Sequence, residues 1–131
     1  MPELLFVYGT LRAAAGHSRH QLLQQYASFI AEGRFQAKLY VVDDYPGAVA
    51  SDDARWQVSG EVYQLLQPER VLAELDQYEQ CGPGFVSPTE YLRLKQQITL
   101  DTGDRVSAWV YVYNHPTDKL QQLMTGDFFR K

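Results

Sequence analysis

The sequence predicts an α+β fold, a small mixed β-barrel or sheet with flanking helices. Three observations carry that prediction. Tyr91–Leu100 alternates, with Leu92, Leu94, Ile98 and Leu100 on one face and Arg93, Lys95, Gln97 and Thr99 on the other. Asp101-Thr102-Gly103-Asp104 then reads as a hairpin turn into the apolar run Val106–Tyr113, which requires at least one antiparallel pair. The predicted order of elements, β-α-β-β-β-α-β-β, breaks the strict alternation of a doubly wound parallel sheet.

Along the chain, Leu4–Tyr8 is continuously apolar, as in a strand buried on both faces. From Ser18 to Ile30 the residues Leu22, Leu23, Tyr26, Phe29 and Ile30 recur at helical spacing, with Ser18 as N-cap. Phe35–Val42 reads as a strand stopped by Asp43-Asp44 and the turn signature Tyr45-Pro46-Gly47, and Ala48–Ala50 as a short strand. Val58–Leu66 is the next strand, with Gly60 marking a bulge or a close approach of backbones. Pro68 suits the first turn of a helix whose apolar face is Val71, Leu72, Leu75 and Tyr78. Gln80–Pro88 is a Gly- and Pro-rich loop, Val106–Tyr113 is apolar on both faces and therefore central, and Leu120–Met124 reads as a last helical turn.

The chain has 131 residues, 45% of them hydrophobic and 21% charged, which predicts one globular domain with a core of its own. The net charge of −4 and the lack of a Lys/Arg cluster argue against nucleic acid or an anionic membrane as partner. No run approaches the roughly 20 apolar residues of a membrane span. The opening Met-Pro-Glu-Leu-Leu-Phe-Val-Tyr has no basic segment before its hydrophobic run, so it reads as a first strand and not a secretory signal. A single cysteine, Cys81, forms no internal disulfide, and a reducing cytoplasm is the expected setting.

The residues suited to chemistry are few. Val7-Tyr8-Gly9-Thr10-Leu11-Arg12 takes a buried strand straight into a turn, where backbone N–H groups beside a ring and a hydroxyl suit capture of a carboxylate or an oxyanion. An ordinary strand-to-loop turn has the same composition. Glu79 falls at the predicted end of a helix, before the Gly/Pro loop. The helix dipole and apolar neighbours Leu75 and Tyr78 would raise its pKa, as a general base near neutrality needs. Position alone equally fits a solvated acid at a helix end. Tyr91 and Tyr113 lie on strands that would face a common cavity, with hydroxyls to orient a substrate, or else pack as core tyrosines. Phe6, Val7, Trp109 and Tyr111 read as core. His17, His20 and His115 are scattered and make no metal-ligand pattern, and no Gly-x-Ser-x-Gly nucleophile motif is present. No basic neighbour in sequence activates Cys81.

Several short pieces occur in a telling order. Val7-Tyr8-Gly9-Thr10-Leu11-Arg12 is followed by Lys38-Leu39-Tyr40, Tyr45-Pro46-Gly47-Ala48-Val49, Val58-Ser59-Gly60-Glu61-Val62-Tyr63 and Leu75-Asp76-Gln77-Tyr78-Glu79. Tyr91-Leu92-Arg93, Ala108-Trp109-Val110-Tyr111-Val112-Tyr113 and Gly126-Asp127 complete the set. In this order the chain resembles the gamma-glutamylcyclotransferase-like family. The resemblance implies a compact mixed barrel with flanking helices and a cavity at the Tyr-Gly-Thr-Leu loop. It implies an enzyme that needs no cofactor or metal and releases 5-oxoproline when a gamma-glutamyl substrate's own α-amine attacks its γ-carbonyl. It places Glu79 at the acid/base position and Tyr8, Gly9, Thr10 and Leu11 where the glutamyl part binds, with Tyr113 as cavity wall and Tyr91 as a substrate contact. The expected partner is thus a small gamma-glutamyl molecule. Gln80 stands where relatives often carry Gly, and Phe128 where they carry Trp. A cavity that binds such a ligand without reacting is the alternative.

Overall fold

A computed structural model of the chain describes residues 3–9, 25–42, 45–78 and 89–127. The strands are β1 (Glu3–Val7), β2 (Ala27–Val41), β3 (Pro46–Ala50), β4 (Gln57–Leu65), β5 (Tyr91–Leu100), β6 (Arg105–Tyr113) and β7 (Gln121–Gln122), and α1 (Pro68–Tyr78) lies between β4 and β5. β1 runs antiparallel to β4, β4 to β2, β2 to β5 and β5 to β6, and β6 returns parallel to β1 through Leu5 and Trp109. This closes a five-stranded mixed barrel, as the α+β expectation requires. Beyond the barrel, the last third of β2 pairs with β3 and, at Tyr40–Val41, with β7.

β1 is buried on both faces. Phe6 points into the barrel with Phe35, Leu39, Val58, Val62, Ile98 and Val110. Leu5 and Val7 point outward, onto the side covered by Val71, Leu72 and Leu75 of α1. The helix begins at Pro68, where a missing N–H leaves no bond unmade. It is amphipathic, so its apolar stripe has one place to go.

Three expectations are corrected. The helical spacing through Ile30 gives way to strand from Ala27 onward, although Gln25 and Tyr26 are helical; residues 18–24 lie outside the described residues. Ala27–Phe29 pairs with Tyr63–Leu65, and the register slips at Ile30, a bulge that resets the alternation before Ala31. A short apolar run with one slipped residue mimics a period of 3.6. Phe29 is more than half exposed and packs edge-to-face on Tyr63 at 5.7 Å. The predicted helical turn at Leu120–Met124 is instead the two-residue β7, held by the Leu123 N–H donating to the Leu39 carbonyl at 2.7 Å. Leu92 and Leu94 are exposed while Ile98 and Leu100 are buried, so β5 is half-buried along its length and not by face. The cause is the short seam with β2, which spans only Gly33–Phe35 and Ile98–Leu100.

Gly60 resolves as a close approach. A Cβ there would overlap the Val7 carbonyl oxygen and lie 2.5 Å from Phe6 Cζ. The bulge in this sheet belongs to β2. The turn at 101–104 is as expected, with Gly103 at φ 95°.

Candidate active site

Tyr8 follows directly on β1, and its ring lies inside the barrel 6.3 Å from Phe6. Its hydroxyl donates to the Tyr111 carbonyl at 2.6 Å and accepts from the Ala48 N–H at 3.1 Å. One side chain thus ties the end of β1 to β6 and to β3. Gly9 comes next and lies so close to Pro46 that a Cβ would stand 3.0 Å from its Cγ. Pro46 is in turn held by the Tyr91 hydroxyl, which donates to its carbonyl at 2.6 Å. At Gly47 a Cβ would come within 2.8 Å of the Cβ and Cγ of Tyr113. Tyr91 and Tyr113 are register partners across β5 and β6, and their rings meet edge-to-face at 5.7 Å.

Four of the expected site residues, Tyr8, Gly9, Tyr91 and Tyr113, therefore converge on the short segment Pro46-Gly47-Ala48 of β3. Thr10, Leu11 and Glu79 lie outside the described residues, as do His17, His20, Cys81 and Asp43-Asp44. The Tyr91 hydroxyl donates to the Pro46 carbonyl and that of Tyr8 to the Tyr111 carbonyl. Both bonds fix the backbone around this segment. Buried, directional bonds of this kind hold one backbone arrangement.

Glu90 brings a negative charge beside these tyrosines. The Tyr45 hydroxyl donates to its carboxylate, and Tyr45 lies 6.4 Å from Tyr91, ring to ring. Burial, and then the negative charge of Glu90, raises the pKa of the Tyr113 hydroxyl above its ordinary value. His115 is exposed and sits 5.8 Å from the Tyr113 ring. Among the described residues no three His, Cys, Asp or Glu side chains group as a metal site would require. No helix among them is long and apolar enough to cross a membrane.

Sequence reasoning missed one cluster altogether. Asp76 of α1 receives both Arg93 Nε at 2.8 Å and Arg93 Nη2 at 3.0 Å, and it accepts the Tyr111 hydroxyl at 2.7 Å. Arg93 also lies 4.5 Å above the Trp109 ring, and Trp109 donates to Glu3 at 2.9 Å. The available signal was Asp76 itself, an acid in the last turn of a helix that has no basic residue there.

Comparison with known proteins bears on this geometry. Residues 5–130 match the family described as gamma-glutamyl cyclotransferase, AIG2-like. The chain is 36% identical over 124 residues to the gamma-glutamylcyclotransferase family protein YtfP of Escherichia coli, covering 95% of this chain and 94% of that one. The solution structure of E. coli YtfP superposes with a TM-score of 0.64 at 34% identity, over 97% of this chain and 96% of that one. The crystal structure of YkqA from Bacillus subtilis superposes at 0.72 with 28% identity, over 97% of this chain and 39% of that longer one. An AIG2-like protein from Mus musculus shares the fold at 24% identity, with a TM-score of 0.69 over 94% of this chain and 86% of that one. With its barrel, its Tyr8–Gly9 turn and its match over nearly the full length, the chain belongs to the gamma-glutamyl cyclotransferase, AIG2-like family.

Proposed function

We propose that the protein is a cyclotransferase that releases 5-oxoproline from a gamma-glutamyl amine or gamma-glutamyl amino acid. Both reacting groups belong to the substrate. Its α-amine attacks its γ-carbonyl, a tetrahedral oxyanion forms, and the γ C–N bond breaks to free the amine. Holding the glutamyl chain bent toward a five-membered ring supplies much of the rate through proximity. What remains is to take a proton from the α-ammonium, deliver one to the leaving nitrogen, and stabilise the oxyanion.

On this reading Glu79 carries the proton in both directions, and the turn Tyr8-Gly9-Thr10-Leu11 binds the glutamyl part and the oxyanion through backbone N–H groups. One such donor is worth about 3 kcal/mol. Tyr91 and Tyr113 serve as the wall. The observation that carries the proposal is the clamp on Tyr8, which holds the start of that turn rigidly against β3 and β6. Leu75, four residues before Glu79 in sequence, supports it by sharing a buried cluster with Tyr91, on which Tyr113 also packs. The setting on this reading is the cytoplasm, given a single cysteine, and the partner is a small molecule and neither nucleic acid nor membrane, given a net charge of −4.

The test is 5-oxoproline release from a panel of gamma-glutamyl amines and dipeptides by wild type and Glu79→Gln. Turnover by wild type and a loss of about 10²–10⁴-fold in the variant are expected. No turnover across the panel, or equal turnover in the variant, ends the proposal. Calorimetry that finds a gamma-glutamyl ligand bound and unaltered makes the protein a binding module instead.

A further inference from the structure

The cluster of Asp76, Arg93 and Tyr111 joins the last turn of α1 to Tyr111, whose carbonyl holds Tyr8. We propose that it is a positioning device that fixes α1 against the end of β1, and Asp76 is its central residue. This rests on the reading of Glu79 as the base, since Glu79 follows Tyr78, the last residue of α1, in sequence.

The apolar face of α1 supplies no directional bond to fix its position along or around its own axis. Val71, Leu72 and Leu75 are buried, but apolar burial is non-directional, and a helix held only by it retains latitude to slide and roll. The two parallel bonds from Arg93 to Asp76 remove that latitude, because a guanidinium meets a carboxylate bidentately in one plane. The Tyr111 hydroxyl adds a third bond from a different strand. Tyr111 does more than this. Its own backbone carbonyl accepts the Tyr8 hydroxyl at 2.6 Å. A single residue of β6 therefore holds the Tyr8–Gly9 turn with its main chain and the last turn of α1 with its side chain.

The charge arrangement supports a geometric purpose. A carboxylate in the last turn of a helix opposes the dipole, and α1 carries no basic residue there to offset it. Asp76 is a poor choice for helix stability taken alone. The compensating charge comes from another element, β5, so the acid serves the tie between elements. The Asp76 and Arg93 side chains are about a quarter exposed, 25% and 24%, which screens the pair less than a surface contact.

The experiment compares Asp76→Asn, Arg93→Lys and Tyr111→Phe with wild type and Glu79→Gln in 5-oxoproline release, with the folded fraction of each taken from its melting curve. Asp76→Asn is expected to lower kcat about 10–100-fold per folded molecule, with KM within about threefold, as for a displaced catalytic group. The acid limb of the kcat–pH profile is expected to move with it. Tyr111→Phe, which keeps its ring and its carbonyl, is expected to lower kcat about 3–10-fold in the same way. A purely structural role lowers only the folded fraction and leaves kcat per folded molecule and the acid limb where they were; that result overturns the proposal. Should Asp76→Asn not fold, Tyr111→Phe and Arg93→Lys decide by the same two readouts. Loss of turnover in Glu79→Gln alone, with the three others at wild-type kcat, sinks the positioning device and keeps the base. Full turnover in Glu79→Gln sinks the base. If wild type turns over no substrate, amide exchange decides: Tyr111→Phe is expected to speed exchange in the last turn of α1 at least tenfold while β4 keeps its protection, and unchanged α1 exchange overturns the tie.

Discussion

A tyrosine hydroxyl can donate one hydrogen bond and accept another, and Tyr8 does both inside the barrel, which is why a single residue can set three strands at once. Glycine does the complementary work where no side chain fits. At Gly60 an added Cβ meets the Val7 main chain, which cannot swing away as a side-chain tip can. Gly60→Ala is expected to destabilise by about 1–3 kcal/mol, the range of an overpacked core site, read as a lower urea midpoint. Tyr113 gives a pH prediction. Its folded-state pKa lies above the ordinary value of 10.0, so the folded chain binds that proton more tightly than the unfolded chain does. Stability linked to it is fully present below about pH 10 and falls as pH rises through the folded value. Urea midpoints measured between about pH 8 and 11.5 should fall less steeply in Tyr113→Phe than in wild type, and equal slopes would contradict the assignment.

Elements show where a sequence speaks for itself and where it needs its partners. α1 has 11 residues, too few to be stable alone, so its helicity comes from burying Leu75 and its neighbours on β1. Leu75→Ala is expected to cost about 2–5 kcal/mol. That lowers the melting midpoint by roughly 8–20 °C, checked by circular dichroism. The start of α1, the bounds of β5 and the turn between β5 and β6 were legible because each is marked locally, by Pro68, by alternation from Tyr91, and by Gly103. The first part of β2 was not, because Ala27–Phe29 is strand only through its ladder to β4 and the slip at Ile30 hides the alternation. β7 was not, because two residues have no period. Within the site, the order of short motifs pointed to Tyr8, Gly9, Tyr91 and Tyr113 together. Nothing local links Asp76 to Arg93, since they pair across 17 residues and two kinds of element.

For the whole molecule, closure is the governing fact. Joining β2 to β5 and β6 to β1 leaves none of the five barrel strands without a neighbour on either side, and it creates an inside and an outside to β1. The inside holds the main core and the Tyr8 ring. The outside seats α1 and, through Tyr111, connects the helix to the same turn. The parallel pairing of β1 with β6 also governs how the chain comes into being. β1 leaves the ribosome before both of its neighbours, which end at Leu65 and Tyr113. A nascent chain therefore carries a short, water-averse ribbon whose second edge stays raw until β6 is made. Closing the ring waits on β6, slow as long-range pairing is slow, and fragments that stop short of Tyr113 leave one edge of that ribbon bare for chaperones or aggregation to claim.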